Sequence, residues 1–135
     1  MTMTARGRDV RGRDARGRDA RAALAPAAAL FRSLGDPTRL AIVRRLATGG
    51  EARVIDLVGE LGLAQSTVSK HLACLRDCRL VDWRAEGRQS YYSLTRAELL
   101  DLLASAEQLL EATGNAVALC PAYGGPGAAP TGAFA

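Results

Sequence analysis

Two of the three cysteines in this 135-residue chain lie four positions apart and could act together. If residues 65–81 form a helix, Cys74 and Cys78 lie on one flank, with about 5–6 Å between their Cβ atoms. Two thiolates so placed can share one metal ion. The spacing alone also fits buried thiols that pack as small hydrophobes. Cys120, the third cysteine, follows much later in the chain.

The cysteines favour soft-metal chemistry over a disulfide framework. Their number is odd, and the chain shows neither an apolar signal segment nor a transmembrane run, so we expect a cytoplasmic protein with free thiols and no membrane partner. Three sulfur ligands without histidine or carboxylate partners suit cadmium or lead, with zinc as the second choice. The only histidine is His71, one turn before Cys74.

The helix that carries Cys74 and Cys78 also has the pattern of a DNA-reading helix. Val68, Leu72 and Leu75 recur at helical spacing and predict one buried stripe. The preceding residues 53–61 have helical apolar spacing too, and residues 62–64 form a short turn, so a helix-turn-helix is predicted. Small polar side chains and one cation remain for the DNA groove: Gln65, Ser66, Thr67, Ser69 and Lys70.

Two segments resemble the ArsR/SmtB family of winged-helix repressors. They are Leu34-Gly35-Asp36-Pro37-Thr38-Arg39-Leu40 and Ala64-Gln65-Ser66-Thr67-Val68-Ser69-Lys70-His71-Leu72, the second followed by Leu75-Arg76 and Leu80-Val81. The resemblance implies a mainly α fold with a small β-hairpin wing (α+β), a winged helix-turn-helix that binds operator DNA as a homodimer. The cysteine pair narrows it to the CmtR-type cadmium and lead sensors. Cys74, Cys78 and Cys120 are then the implied metal ligands.

A hairpin is predicted directly after the reading helix. Residues 80–84 and 89–94 are rich in β-forming side chains, and Gly87 between them can adopt positive φ. In the resembled family this hairpin is the wing beside the DNA backbone, so Arg88 at its tip and the nearby Arg84 are implied phosphate contacts. Ordinary solvated loop arginines would give the same sequence.

The chain divides into three parts by composition. Residues 1–21 hold an Arg-Gly-Arg-Asp repeat, and we predict a disordered, Arg-rich arm. Its seven arginines exceed its three aspartates by four, which equals the net charge of +4 of the whole chain. The arm therefore either adds affinity for DNA phosphates or is a low-complexity leader without function. Residues 22–114 form the predicted dimerisation and DNA-binding domain. Residues 115–135 are the predicted flexible tail that carries Cys120.

Helix ends are predicted from capping residues. Asp36-Pro37 opens one helix, and Thr95 to Glu98 read as a capping box that opens the last helix, which Gly114 ends. The last helix carries an apolar stripe that is too large for solvent exposure, and we expect a twin chain to cover it.

The predicted function is a metal-responsive transcriptional repressor that leaves its operator when cadmium or lead binds the cysteine thiolates. Two alternatives remain, namely a thiol redox or persulfide-sensing repressor of the same fold, and a DNA-binding module with inert cysteines. An enzyme is not expected, since the chain has no nucleophile–histidine–acid set and no phosphate loop.

Overall fold

A computed structural model of the chain describes residues 15–119. Six helices and one hairpin follow one another in this range, and we number them in chain order. They are α1 (residues 15–23), α2 (Ala25–Leu34), α3 (Pro37–Gly49), α4 (Val54–Leu61), α5 (Gln65–Asp77), β1 (Val81–Glu86), β2 (Gln89–Leu94) and α6 (Ala97–Ala112). Within the described residues, no helix is long and apolar enough to cross a membrane.

The helix-turn-helix forms because apolar side chains of α4 and α5 recur at helical spacing and meet beneath the turn. Leu57 of α4 and Val68, Leu72 and Leu75 of α5 are all fully buried. Gly62 ends α4 with φ +67°, a left-handed conformation that suits glycine. The predicted stripe of α5 is therefore confirmed, and it fixes which side of α5 faces solvent.

Helices α3 and α6 complete the core, and the turn between α2 and α3 forms a corner next to α5. Ile42 and Val43 of α3 and Leu99 and Leu103 of α6 are buried in the same apolar cluster as the α5 stripe. Asp36 caps α3 as predicted, since its carboxylate accepts a hydrogen bond of 2.9 Å from the Arg39 backbone N–H. The cap makes the turn between α2 and α3 tight.

The wing is a two-stranded antiparallel hairpin whose register runs from the Val81–Leu94 pair to the Glu86–Gln89 pair. Gly87 opens the two-residue turn with φ +61°. A third backbone segment joins the hairpin, because Ala52 exchanges two hydrogen bonds, of 2.8 and 2.9 Å, with Tyr92. The predicted winged helix-turn-helix of α+β type is confirmed.

Two local predictions differ from the structure. Residues 15–21 were predicted to belong to a disordered arm, yet residues 15–23 are helical, in keeping with the high helix propensity of their alanines and arginines. The capping box at the start of α6 is wrong: Arg96 is the N-cap residue and gives no side-chain cap. The hydroxyl of Thr95 instead donates to the Arg79 carbonyl at 2.9 Å.

Candidate DNA-reading helix and thiol site

The first turns of α5 present the side chains that sequence analysis predicted to contact DNA. Gln65, Ser66, Ser69 and Lys70 are exposed, and Thr67 is half-buried. Because the buried stripe holds α5 against the core, these groups point away from the protein. Ala64 is the N-cap of α5 and offers no side-chain acceptor, so α5 begins without a polar cap of its own.

The two wing arginines have different surroundings. Arg84 donates to Glu51 at 2.6 and 3.0 Å and to Glu86 at 2.8 Å, and its guanidinium lies 4.8 Å from the Tyr91 ring centroid. These hydrogen bonds lower the pKa of the Glu51 carboxyl below its ordinary value. Arg88 is exposed at the wing tip and makes no ion pair among residues 15–119. Arg84 therefore fastens the wing to the α3–α4 connection, and Arg88 is the cation that the tip presents.

A second flank of α5 carries the sulfur atoms. His71, Cys74 and Cys78 follow one another at three- and four-residue spacing and are all half-buried. Both thiols are free. The Cys78 Sγ atom lies 2.8 Å from the Ser33 hydroxyl of α2, a hydrogen bond that spans 45 positions of sequence. The thiol flank of α5 thus faces the corner between α2 and α3.

Arg39 organises that corner. Its guanidinium donates to the carbonyls of Ser33 at 2.8 Å and Arg32 at 3.1 Å, which are in the last turn of α2. The same group lies 3.4 Å from Nδ1 of His71. Arg39 belongs to the motif at residues 34–40 that resembles the ArsR/SmtB family, but the motif predicted no role for it, because its contact with His71 joins residues 32 positions apart. The corner fixes the position of the thiol flank relative to α2.

The end of the described chain packs on the other side of α3. Leu119 is buried, its backbone N–H donates to the buried Glu107 carboxylate, and it lines a small cavity with Pro37 and Leu40. The α3 residues that line this cavity with Leu119 are Pro37, Leu40, Ala41 and Arg44. At 100° per residue around the helix axis, the middle of that face lies about 150° from Arg39. Leu119 and the thiol flank of the same chain are therefore on opposite sides of α3. Cys120, the predicted third ligand, lies outside the described residues.

The donor set of the described residues is incomplete for a metal. Between residues 15 and 119, no three histidine, cysteine or acidic side chains come close enough to hold one ion. Cys74 and Cys78 supply two unpaired thiols on one flank, a pair that fits a soft cation. The pair needs at least one further ligand, which could be Cys120 or a residue of a second chain.

Several large apolar side chains remain outside the core. Phe31 of α2 and Leu109 of α6 are 60% and 66% exposed, and Leu24 is 62% exposed. Leu102, Ala106 and Leu110 of the predicted α6 stripe are half-buried. Soluble monomers rarely expose so many large apolar groups on two neighbouring helices, so these helices form a candidate contact surface for a second chain.

The chain is similar to bacterial regulators in sequence and in fold. The model of the family described as bacterial regulatory protein, arsR family, matches residues 36–82. A probable mercury resistance operon repressor of Streptomyces lividans is 39% identical over 92 residues, which are 68% of this chain and 71% of that protein. The HTH-type transcriptional regulator CmtR of Mycobacterium tuberculosis is 42% identical over 83 residues, which are 62% of this chain and 70% of that protein. The crystal structure of NolR from Sinorhizobium fredii superposes with a TM-score of 0.63 and 26% identity, covering 73% of this chain and 94% of that one.

Proposed function

This chain belongs to the ArsR family of bacterial regulatory proteins, and from that premise we propose that it is a metal-responsive transcriptional repressor. As a homodimer it binds operator DNA, and it is released when cadmium or lead is bound by cysteine thiolates. Relatives whose names refer to mercury, cadmium or arsenical resistance support a metal as the signal. The choice of Cys74, Cys78 and Cys120 rests on the resemblance of the cysteine pattern to CmtR-type sensors, and the 42% identity to CmtR supports that resemblance.

One observation carries the proposal. The exposed reading face and the thiol flank belong to the same helix, α5, whose buried stripe fixes the angle between them. Lys70 and Cys74 are one turn apart, so a ligand held at Cys74 lies about 6 Å along the helix from Lys70, the nearest of the DNA-reading side chains. A change in the orientation of α5 would displace its DNA-reading side chains directly, with no other element in between.

The homodimer places two copies of α5 on one duplex. The exposed apolar side chains of α2 and α6, Phe31 and Leu109 among them, form its proposed interface. A twofold axis through that interface would set two reading helices in successive major grooves, so the operator would be an inverted repeat with half-sites about 10–10.5 base pairs apart. Gln65, Ser66, Thr67, Ser69 and Lys70 would contact the bases and nearby phosphates, and Arg88 a flanking phosphate. The ion pairs of Arg84 leave it the weaker candidate for a DNA contact.

Cys74 and Cys78 of one chain and Cys120 of its partner are the proposed ligands of each metal ion. Leu119 supports ligation across the dimer, because it packs on the side of α3 away from the thiols of its own chain. When bound, the metal supplies a bond between a tail and the flank of a reading helix. The hydrogen bond of Cys78 with Ser33 and the contact of Arg39 with His71 connect that flank to α2, so any shift of α5 is shared with the proposed dimer interface.

A titration tests the metal response. Adding cadmium to the reduced full-length dimer should produce a sulfur-to-metal charge-transfer band and lower operator affinity, and by linkage the operator should weaken cadmium binding by the same factor. Cys120→Ser should keep operator binding but lose most of the release. Release by oxidant without metal would instead support the redox-sensing alternative, and no response to either would mean that the cysteines are inert.

A mixed dimer tests ligation across the chains. One chain is the wild type and the other lacks all three cysteines, so a site shared between chains has no complete ligand set. A site within one chain would remain intact in the wild-type half. A three-sulfur site of full affinity in this mixed dimer would refute ligation across the interface. It would leave the proposed metal response standing, because that response is tested separately on the wild-type dimer.

A further inference from the structure

An open cavity of about 410 Å³ lies where α5 ends, β1 begins and α6 begins. Its wall is rich in arginine and contains one carboxylate. The lining residues are Arg76, Arg79, Val81, Asp82, Thr95 and Arg96. The volume is in the lower part of the range of small-molecule sites, which is about 300–1,000 Å³. With three guanidinium groups and one carboxylate, the cavity carries a net charge of +2.

Arg79 has a backbone conformation that arginine rarely adopts. Its φ is +61°, the only positive φ of a residue other than glycine among those described. The position follows α5 in a helix-ending motif: the Leu80 N–H donates to the Leu75 carbonyl at 3.0 Å and the Arg79 N–H to the Arg76 carbonyl at 2.8 Å. Glycine is the usual residue here, because a side chain strains the left-handed backbone. An arginine in this place costs stability, which points to a use for its side chain.

The guanidinium groups of the cavity are open to a ligand. Within residues 15–119, no hydrogen bond or ion pair involves the guanidinium of Arg79 or of Arg96. Backbone N–H groups already satisfy the carbonyls of Cys74, Leu75 and Arg76 in the last turn of α5, so these carbonyls do not need the Arg79 side chain as a cap. Arg76 lies over the Trp83 ring, 5.1 Å from its centroid, and its Nε is 4.0 Å from the exposed Asp82 carboxylate. Stacking on Trp83 holds one cation in place before any anion arrives.

The cavity lies at the far end of α5 and at the base of the wing. Arg76 and Arg79 follow Lys70, the last predicted DNA contact of α5, by six and nine positions, about 9 and 14 Å along a helix at 1.5 Å per residue. Asp82 is six positions from Arg88, about 20 Å along an extended strand. The cavity is therefore set back from the first turns of α5 and from the wing tip, where DNA contact is proposed.

We propose that this cavity binds a small, free oxyanion of the phosphoryl class, held by Arg76, Arg79 and Arg96. Planar guanidinium groups match phosphoryl oxygens in pairs of parallel hydrogen bonds. The Thr95 hydroxyl contributes by fixing the Arg79 carbonyl against the start of α6, which sets the distance between the two sides of the cavity. This site is separate from the thiol flank, and its existence does not depend on metal sensing.

Calorimetric titration of the metal-free, full-length dimer with pyrophosphate tests the site, in a buffer without phosphate or sulfate. Trp83 is the only tryptophan of the chain and lies under Arg76, so its fluorescence should change over the same concentration range. Arg79→Gly and Arg96→Ala should each weaken binding by about tenfold or more, the loss of one charge-assisted contact. The melting temperature of Arg79→Gly should stay equal or rise, because glycine relieves the left-handed strain.

Arg21→Ala is the matched control, since it removes one exposed positive charge from α1, outside the cavity. Its pyrophosphate affinity should remain within about twofold of the wild type. Equal losses in Arg21→Ala and Arg79→Gly, or no binding by the wild type, would overturn the proposal. A fall of about 1.8 in the salt slope of DNA binding by the Arg79→Gly dimer would also overturn it, because the two cavities would then each hold a DNA phosphate. Failure of the metal titration would leave all these results unchanged.

Discussion

Replacing Arg88 with alanine removes the one cation that the wing tip presents without a partner among residues 15–119. In the proposed homodimer both wings lose this side chain, so if each Arg88 contacts a phosphate the slope of log K against log salt should fall by about 1.8. Over a fourfold change in salt, from about 50 to 200 mM, that slope difference is a factor of about 12 in relative affinity. The variant should therefore bind DNA much more weakly than wild type at low salt and approach it at high salt.

Arg84→Ala provides the comparison within the same wing. Arg84 pairs with Glu51 and Glu86, so a phosphate contact would require it to leave two carboxylates. We expect its replacement to leave the salt slope unchanged and to loosen the wing, which limited proteolysis of the hairpin would report. Both substitutions remove the same positive charge. The expected difference between the variants therefore comes from the carboxylates that pair with Arg84 and are absent around Arg88 among residues 15–119.

The measurement is fluorescence anisotropy of a labelled duplex at five or more salt concentrations. A duplex of arbitrary sequence is sufficient, because phosphate contacts act without sequence preference. An unchanged slope for Arg88→Ala would place Arg88 away from the DNA. A slope lowered by about 1.8 for Arg84→Ala would show that its ion pairs open on binding in both wings, and would refute the assignment of Arg84 as a wing anchor.

Three further predictions concern stability and the arm. Leu72→Ala should lower the free energy of unfolding by about 2–5 kcal/mol in urea titrations, because Leu72 is fully buried; Ser69→Ala, on the exposed face, should change it by less than about 0.5 kcal/mol. Hydrogen bonds from the Arg53 guanidinium and backbone N–H lower the pKa of Asp56 to about 2 from its ordinary 3.8. The carboxylate therefore stabilises the fold above pH 3.8 and loses that contribution as the pH falls towards 2, so Asp56→Asn should flatten the acid limb of a stability profile. Deleting residues 2–21 should weaken non-specific DNA binding most at low salt and leave the metal response intact; a lost metal response would place the working domain's boundary before residue 22.

The elements that depend only on neighbouring residues, such as the buried face of one helix or a tight turn, could be predicted from the sequence. Val68, Leu72 and Leu75 repeat at the period of a helix, so the buried side of α5 could be predicted, and with it the exposure of Ser66 and Lys70. Gly87 marked the wing turn because few other residues adopt positive φ. The capping box of α6 was wrong although the start of the helix was predicted to within one residue, since a long-range hydrogen bond from Thr95 to Arg79 removes the cap that the local pattern predicted.

The surroundings of the site depended on contacts between distant residues. Cys78 and Ser33 are 45 positions apart, and Arg84 and Glu51 are 33 apart, so no periodicity relates them. The family resemblance implied phosphate contacts for both Arg88 at the wing tip and the nearby Arg84, and only tertiary pairing distinguishes them. Arg79 could have been noticed from sequence, because the position after a helix usually holds glycine, but only the backbone φ of the structure shows that arginine adopts the left-handed conformation.

The backbone pair between Ala52 and Tyr92 fixes the base of the wing to the rest of the domain. Arg88 is four positions from Tyr92 toward the tip, so it lies about 13 Å from this fixed point at 3.3 Å per residue. A rotation of only about 3° at the base would displace the tip by about 0.7 Å, more than the whole 2.7–3.2 Å range of a good hydrogen bond. If Arg88 holds a DNA phosphate as proposed, such a rotation of the wing would break that contact without disturbing the core or refolding the domain.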